Sequence, residues 1–176
     1  SRSLGRDFMP EMIIAVLLVG AAVFLLVGWM ESIRRDAKME LARSMLAKLD
    51  TALARYHRAN ECFPPVRGTD TAMDAVVQLI NHERTREIIE SLPESVRRGP
   101  GNRMLVDPWG TPLRYLPEGD PSDYVRANEG RPLFVSAGPD RDFGDHDRSC
   151  LGDNLRSDDP GEDGFRNLLA PREGGG

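Results

Sequence analysis

The chain has 176 residues, 40% apolar and 29% charged, with a formal net charge of −5 and two cysteines. That length accommodates one compact domain of ordinary globular composition plus a segment suited to a different solvent. The acidic balance supplies no basic excess of the kind nucleic acid requires, so no nucleic-acid partner is expected.

Residues 1–11 read as a leader-like segment. Residues 12–30, MIIAVLLVGAAVFLLVGWM, are nineteen residues without a charge, close to the ~20 that a helix needs to cross a bilayer. A buried core helix is the alternative, but the remaining residues are too few to surround it on every side. Trp29 and Met30 lead straight into Glu31 and Arg34 with no small-residue cleavage site, so the segment is expected to be retained. Basic residues flank both ends, Arg2 and Arg6 on one side and Arg34, Arg35 and Lys38 on the other. Flanking charge therefore leaves the orientation open.

Beyond the apolar run, Met39, Ala42, Leu46, Leu49, Leu53 and Tyr56 recur at spacings of three and four, with charged residues between them. This predicts that one helical rod runs from about residue 10 to 59, amphipathic over 31–60 and laid against a small sheet. A coiled-coil seam is the other reading of the stripe, but three heptads are few. Asn60 and the prolines of "CFPP" end the rod. Cys62 and Cys150 both lie beyond the apolar segment. A disulfide between them suits an oxidising compartment, and two separate thiols are the alternative.

Residues 69–92 are expected to be helical in one or two pieces, capped by Thr69 or Asp70 and stopped by Pro93. "RRGPGN", residues 97–102, reads as a loop. Strands are expected at Arg103–Val106, Leu113–Leu116 and Leu133–Ser136, forming one three-stranded antiparallel sheet. Between the first two lies "VDPWGTPLRY". Pro108 fixes its own φ and pushes Asp107 toward an extended conformation, Gly110 permits a positive φ, and Pro112 cannot donate to a ladder. Asp107 is expected to accept bonds from nearby amides, with Trp109 and Tyr115 anchoring the turn to the long helix.

Residues 140–163 hold nine acids against three arginines, a local −6, so the rest of the chain sums to +1. Within them "DRDFGDHD" alternates carboxylates around a glycine, as the start of a calcium loop does. Its glycine falls fifth rather than sixth, and no Glu stands twelfth, so the EF-hand match is incomplete. His146 lies in the same stretch, but carboxylates favour calcium over a transition metal. His57 and His82 read as ordinary surface residues. No catalytic triad, paired-cysteine zinc motif or phosphate-binding glycine loop is present, so an enzyme is not expected.

The apolar helix that continues as an amphipathic one, the "FPP" break, "DPWGTPLRY", "FVSAGPD" and "GDNLRSDD" together resemble the type II secretion pseudopilins. The likeness is closest to the major, G-type subunit, within the type IV pilin-like family, and spans most of residues 8–159. The family's D-P-W-G-x-P-x-x-Y hairpin is filled by Asp107, Pro108, Trp109, Gly110, Pro112 and Tyr115. Its Ser-x-Gly-x-Asp segment is filled by Ser136, Gly138 and Asp140, and its later Asp-Asn element by Asp153 and Asn154.

The resemblance implies an α+β pilin-like fold, in which a membrane-spanning helix continues into an amphipathic spine (31–60) packed on a small antiparallel sheet. The globular part would be residues 61–159, with an acidic C-terminal loop at 137–159; residues 160–176, beyond the likeness and ending in "REGGG", read by their own composition as a flexible tail. The resemblance implies a structural subunit that self-associates into a helical filament, the periplasmic pseudopilus that supports protein secretion. Its partners would be other pseudopilins, inner-membrane secretion components and membrane lipid. The protein would then be single-pass in the inner membrane with its globular domain in the periplasm.

The family also implies one calcium ion in the C-terminal loop. Asp140, Asp153 and the carbonyl of Ala137 would be the first ligands, and Asp142, Asp145 and Asn154 further ones. Glu11 would pair with the N-terminal amine of a neighbouring subunit, since an unpaired carboxylate in lipid is costly. An interfacial acid in the headgroup region is the simpler reading of that residue.

The N-terminus departs from the family's processing pattern. With Glu11 as fifth mature residue, Asp7 is first and Arg6 precedes the cut; counted from Phe8, Glu11 is fourth. This departure supports a second reading: a monomeric, membrane-anchored calcium-binding or adhesion module with a pilin-like fold that does not polymerise.

Overall fold

The computed structural model describes residues 8–144 and 153–158. The chain is α+β: a long N-terminal helix, short helices and small antiparallel sheets. Helix α1 runs over Phe8–Asn60, 53 residues without a break. Its end has a local cause. The Asn60 side chain donates to the Tyr56 carbonyl (2.9 Å), and Glu61 takes φ 56° while its N–H donates to the His57 carbonyl (2.8 Å), which satisfies orphan carbonyls of the last turn.

The chain divides into two compact units, 1–38 and 39–176. In the first, every apolar side chain from Met12 to Ile33 is exposed, Phe24 the most at 81%. Among the described residues α1 is the one helix long and apolar enough to cross a membrane.

In the second unit, α1 contributes the stripe Ala42, Met45, Leu46, Leu49, Ala52, Leu53 and Tyr56, all buried. The stripe forms because residues three and four apart share one helical face. Against it pack α2 (Thr71–Asn81) through Ala75, Val76 and Leu79, and α3 (Glu83–Glu90) through Ile89. The Asp70 carboxylate caps α2, accepting from the Met73 N–H (3.0 Å). The helical region expected over 69–92 is therefore two helices, and the second ends three residues before Pro93.

The expected single sheet is corrected. Met104–Leu105 (β2) pairs not with the later strands but with Arg97–Arg98 (β1), inside the stretch expected to be a loop. The Val106 N–H is taken by the Val96 carbonyl (2.8 Å), and among the described residues the ribbon meets the chain entering the next strand at the isolated bridge Val106–Pro112, flanked by the Leu113 N–H to Leu105 carbonyl (3.0 Å) and Asp107 N–H to Thr111 carbonyl (2.8 Å) bonds. The three-stranded sheet is Arg114–Leu116 (β3), Leu133–Ser136 (β4) and Leu155–Arg156 (β5), in that order and antiparallel.

Strand alternation sorts its two faces. Tyr115, Phe134 and Leu155 join the main core, with the Tyr115 and Phe134 rings 4.9 Å apart, while Leu116, Leu133 and Val135 meet Val125 in a second cluster. Val125 belongs to a five-residue helix, α4 (Asp123–Ala127), in the polar stretch between β3 and β4. Strand β5 is held by reciprocal bonds: the Phe134 N–H donates to Ser157 Oγ (2.9 Å) and the Ser157 N–H to the Phe134 carbonyl (2.9 Å).

Candidate functional site: the Asp107 corner and the Asp140–Asp153 loop

The corner between β2 and β3 closes around one carboxylate. Asp107 is 1% exposed. Its Oδ1 accepts from the N–H groups of Trp109 (3.1 Å) and Thr111 (2.8 Å), and its Oδ2 from the Ser136 hydroxyl (2.9 Å). Its backbone closes the same turn, accepting from Gly110 N–H (2.9 Å) and donating to the Thr111 carbonyl (2.8 Å). Burial raises the Asp107 carboxyl above its ordinary range, against the opposing pull of those donors.

Pro108 and Trp109 are half-buried, with Trp109 packed on the main core, and Gly110 is exposed at φ 92°. Tyr115 is buried, and its hydroxyl lies 3.5 Å from the Pro64 carbonyl. The corner is thus saturated with internal bonds, an arrangement that fixes its shape.

Ser136 connects this corner to the acidic loop. Its hydroxyl also accepts from the Gly138 N–H (3.2 Å). There the chain passes close to the segment entering β5, because Gly138 sits at φ 72° with no side chain against the Asp153 backbone. The Asp140 N–H donates to Asp153 Oδ2 (3.2 Å), the Asp142 N–H to Asp140 Oδ1 (2.8 Å) and the Gly144 N–H to Asp142 Oδ1 (2.8 Å). Burial, with the neighbouring Asp140 charge also contributing, raises the Asp153 carboxyl.

At the centre lies Asn154, 2% exposed. One terminal atom of its amide stands 2.8 Å from the Ala137 carbonyl oxygen and 3.0 Å from that of Asp142. With nitrogen in that place, the amide donates to both carbonyls. That orientation satisfies all three groups without any other partner. The two carbonyl oxygens are of the hard type calcium takes, and the Asp140 and Asp153 carboxylates lie beside them.

The structure therefore brings Ala137, Asp140, Asp142, Asp153 and Asn154 together. Asp142 contributes a main-chain oxygen, which residue type does not reveal. Among the described residues no group of three or more His, Cys, Asp or Glu side chains is placed to hold a metal. Asp145, His146 and Cys150 lie outside the described residues, and Cys62 is exposed. Phe8 and Glu11 are in the first turns of α1, and their side chains lie outside the described set. Sequence reasoning did not foresee the Ser136–Asp107 bond, although two polar residues inside otherwise apolar strand ends were a usable signal.

No protein family, curated protein or solved structure matches the chain.

Proposed function

We propose that this protein is a structural, pilin-like subunit, anchored once in the inner membrane, whose helices assemble into a periplasmic pseudopilus serving type II secretion. The observation that carries the reading is α1 itself: one unbroken helix bears an exposed apolar face over residues 12–33 and a buried stripe over 42–56. An exposed apolar run of this length needs lipid or other apolar helices as its solvent. The "DPWGTPLRY" corner and the Ala137–Asn154 loop add the sequence likeness. Other pseudopilins and inner-membrane secretion components are the implied partners, and the role is structural rather than enzymatic.

Electron microscopy of membranes from cells overproducing the full chain tests this. Fibres are expected, and they should vanish when residues 12–30 are replaced by an unrelated polyleucine span that still anchors the chain. Single, unassembled chains throughout would favour the monomeric anchored module, the reading to which the departure around Asp7 and Phe8 points.

In the same proposal, calcium is held by the carbonyls of Ala137 and Asp142, the Asn154 amide oxygen and the flanking Asp140 and Asp153 carboxylates. It would order a segment whose carboxylates otherwise repel one another. A ligand at about 100 times its Kd stabilises by ~2.7 kcal/mol, so millimolar calcium should raise the Tm of the full chain in detergent by about 5 °C or more over chelator. Asn154→Ala should abolish that difference. An identical transition in calcium and in chelator counts against the site.

A further inference from the structure

The turns of α1 just after the apolar run carry five charges, Glu31, Arg34, Arg35, Asp36 and Lys38, all exposed. Their spacing gathers the three cations on one side. Positions 31, 34, 35 and 38 fall at i, i+3, i+4 and i+7 and share one helical face, whereas Asp36 and Glu40 lie on the opposite one. The cationic face therefore keeps a surplus of two charges after Glu31 is counted. No ion pair joins Arg34, Arg35 or Lys38 to a carboxylate among the described residues.

Trp29, 67% exposed, stands just before this face in the same compact unit. Amphipathic aromatic rings favour the level of lipid headgroups. From Met30 to Arg34 the helix rises about 6 Å and to Lys38 about 12 Å. Helical side chains tilt toward the N-terminus, back toward the apolar run, and long basic chains extend further that way. All three cations thus reach the depth of a headgroup phosphate when residues 12–30 fill the hydrocarbon.

We infer that Arg34, Arg35 and Lys38 form a binding collar for the phosphates of anionic phospholipids, which sets the depth at which α1 sits in the bilayer. The inference rests on insertion of residues 12–30 into lipid and not on filament assembly. Guanidinium groups suit it because they bind phosphate oxygens in pairs.

The test uses the full chain reconstituted into vesicles of phosphatidylcholine alone or mixed with phosphatidylglycerol. Flotation with phosphatidylcholine alone checks insertion, and wild type and Arg34→Gln/Arg35→Gln/Lys38→Gln should float equally. Failure of both to float overturns the membrane reading and this inference with it. Lipid retained after mild extraction is then counted by native mass spectrometry.

Wild type should retain phosphatidylglycerol about fivefold above its share of the mixture, and the triple variant should fall to that share. Arg97→Gln/Arg98→Gln/Arg103→Gln, which removes three cations elsewhere, should keep the enrichment. Equal enrichment in wild type and the 34/35/38 variant overturns the inference. Retention unchanged by millimolar inorganic phosphate supports a lipid surface, and displacement by it would instead indicate a site for free phosphate.

Discussion

Gly138→Ala should lower the stability of the folded domain by about 4 kcal/mol or prevent its folding. A β-carbon at position 138 would stand 2.3 Å from the backbone oxygen of Asp153 and 2.9 Å from its carbonyl carbon. Neither atom belongs to a side chain that can swing away. The φ of 72° adds strain for any L residue. The closeness is structural in purpose: it lets the end of β4 lie against the start of β5, so that the Ala137 carbonyl and Asn154 meet.

Gly110→Ala separates the two causes, since Gly110 has φ 92° and open space around it. It should cost only the conformational strain, about 1 kcal/mol. Chemical denaturation of the full chain in detergent measures both. Similar small losses at the two positions would refute the close approach.

Asp107→Ala should cost about 3 kcal/mol, while Asp107→Asn should stay within about 1 kcal/mol of wild type. The alanine variant strands the amides of Trp109 and Thr111 and the Ser136 hydroxyl in a site that is 1% exposed, and buried unpaired groups are expensive. Asparagine keeps an oxygen for the two amides and turns its NH2 toward Ser136 Oγ, which can accept.

The two side chains then differ in pH dependence. Because burial raises the Asp107 carboxyl in the folded state, its stabilising contribution is complete below the unfolded value of 3.8 and is lost as pH rises through the higher folded value. Wild type should therefore gain on Asp107→Asn as pH falls from neutral toward 4. Thermal unfolding across that range reads the sign, and a wild type that loses ground on acidification would contradict burial as the dominant influence on Asp107.

How far each feature can be read from the sequence depends on how it is encoded. The long helix is legible because its two solvents demand two patterns: an uncharged run over 12–30, then the 3–4 spacing of Met39 to Tyr56 that puts one stripe in the core. The Asp107 corner is legible because Pro108, Gly110 and Pro112 restrict the backbone locally. Strand partners are not local. Arg97–Arg98 carries no apolar alternation, and Leu155–Arg156 is a two-residue strand between acidic stretches whose place depends on bonds from Phe134 and Ser157. The sheet therefore differs in membership from the one the apolar runs suggest.

The candidate cation site divides in the same way. Carboxylates such as Asp140 and Asp153 stand out by composition. The carbonyls of Ala137 and Asp142 belong to the backbone, and only the fold shows that they converge on Asn154. Gly138 was visible as part of "SAGPD", but the reason for a glycine there is the Asp153 backbone, fifteen positions away in sequence.

A pseudopilus requires the exposed apolar faces of α1 to meet one another in the membrane. Single cysteines at Val16 and Val23, both more than half exposed, introduced as Val16→Cys and Val23→Cys in a Cys62→Ser/Cys150→Ser background, allow oxidative crosslinking in intact cells. Assembly predicts dimers for each variant alone and a ladder of higher species when both cysteines are present in one chain. Chains that remain monomeric at both positions, while still fractionating with membranes, would contradict it.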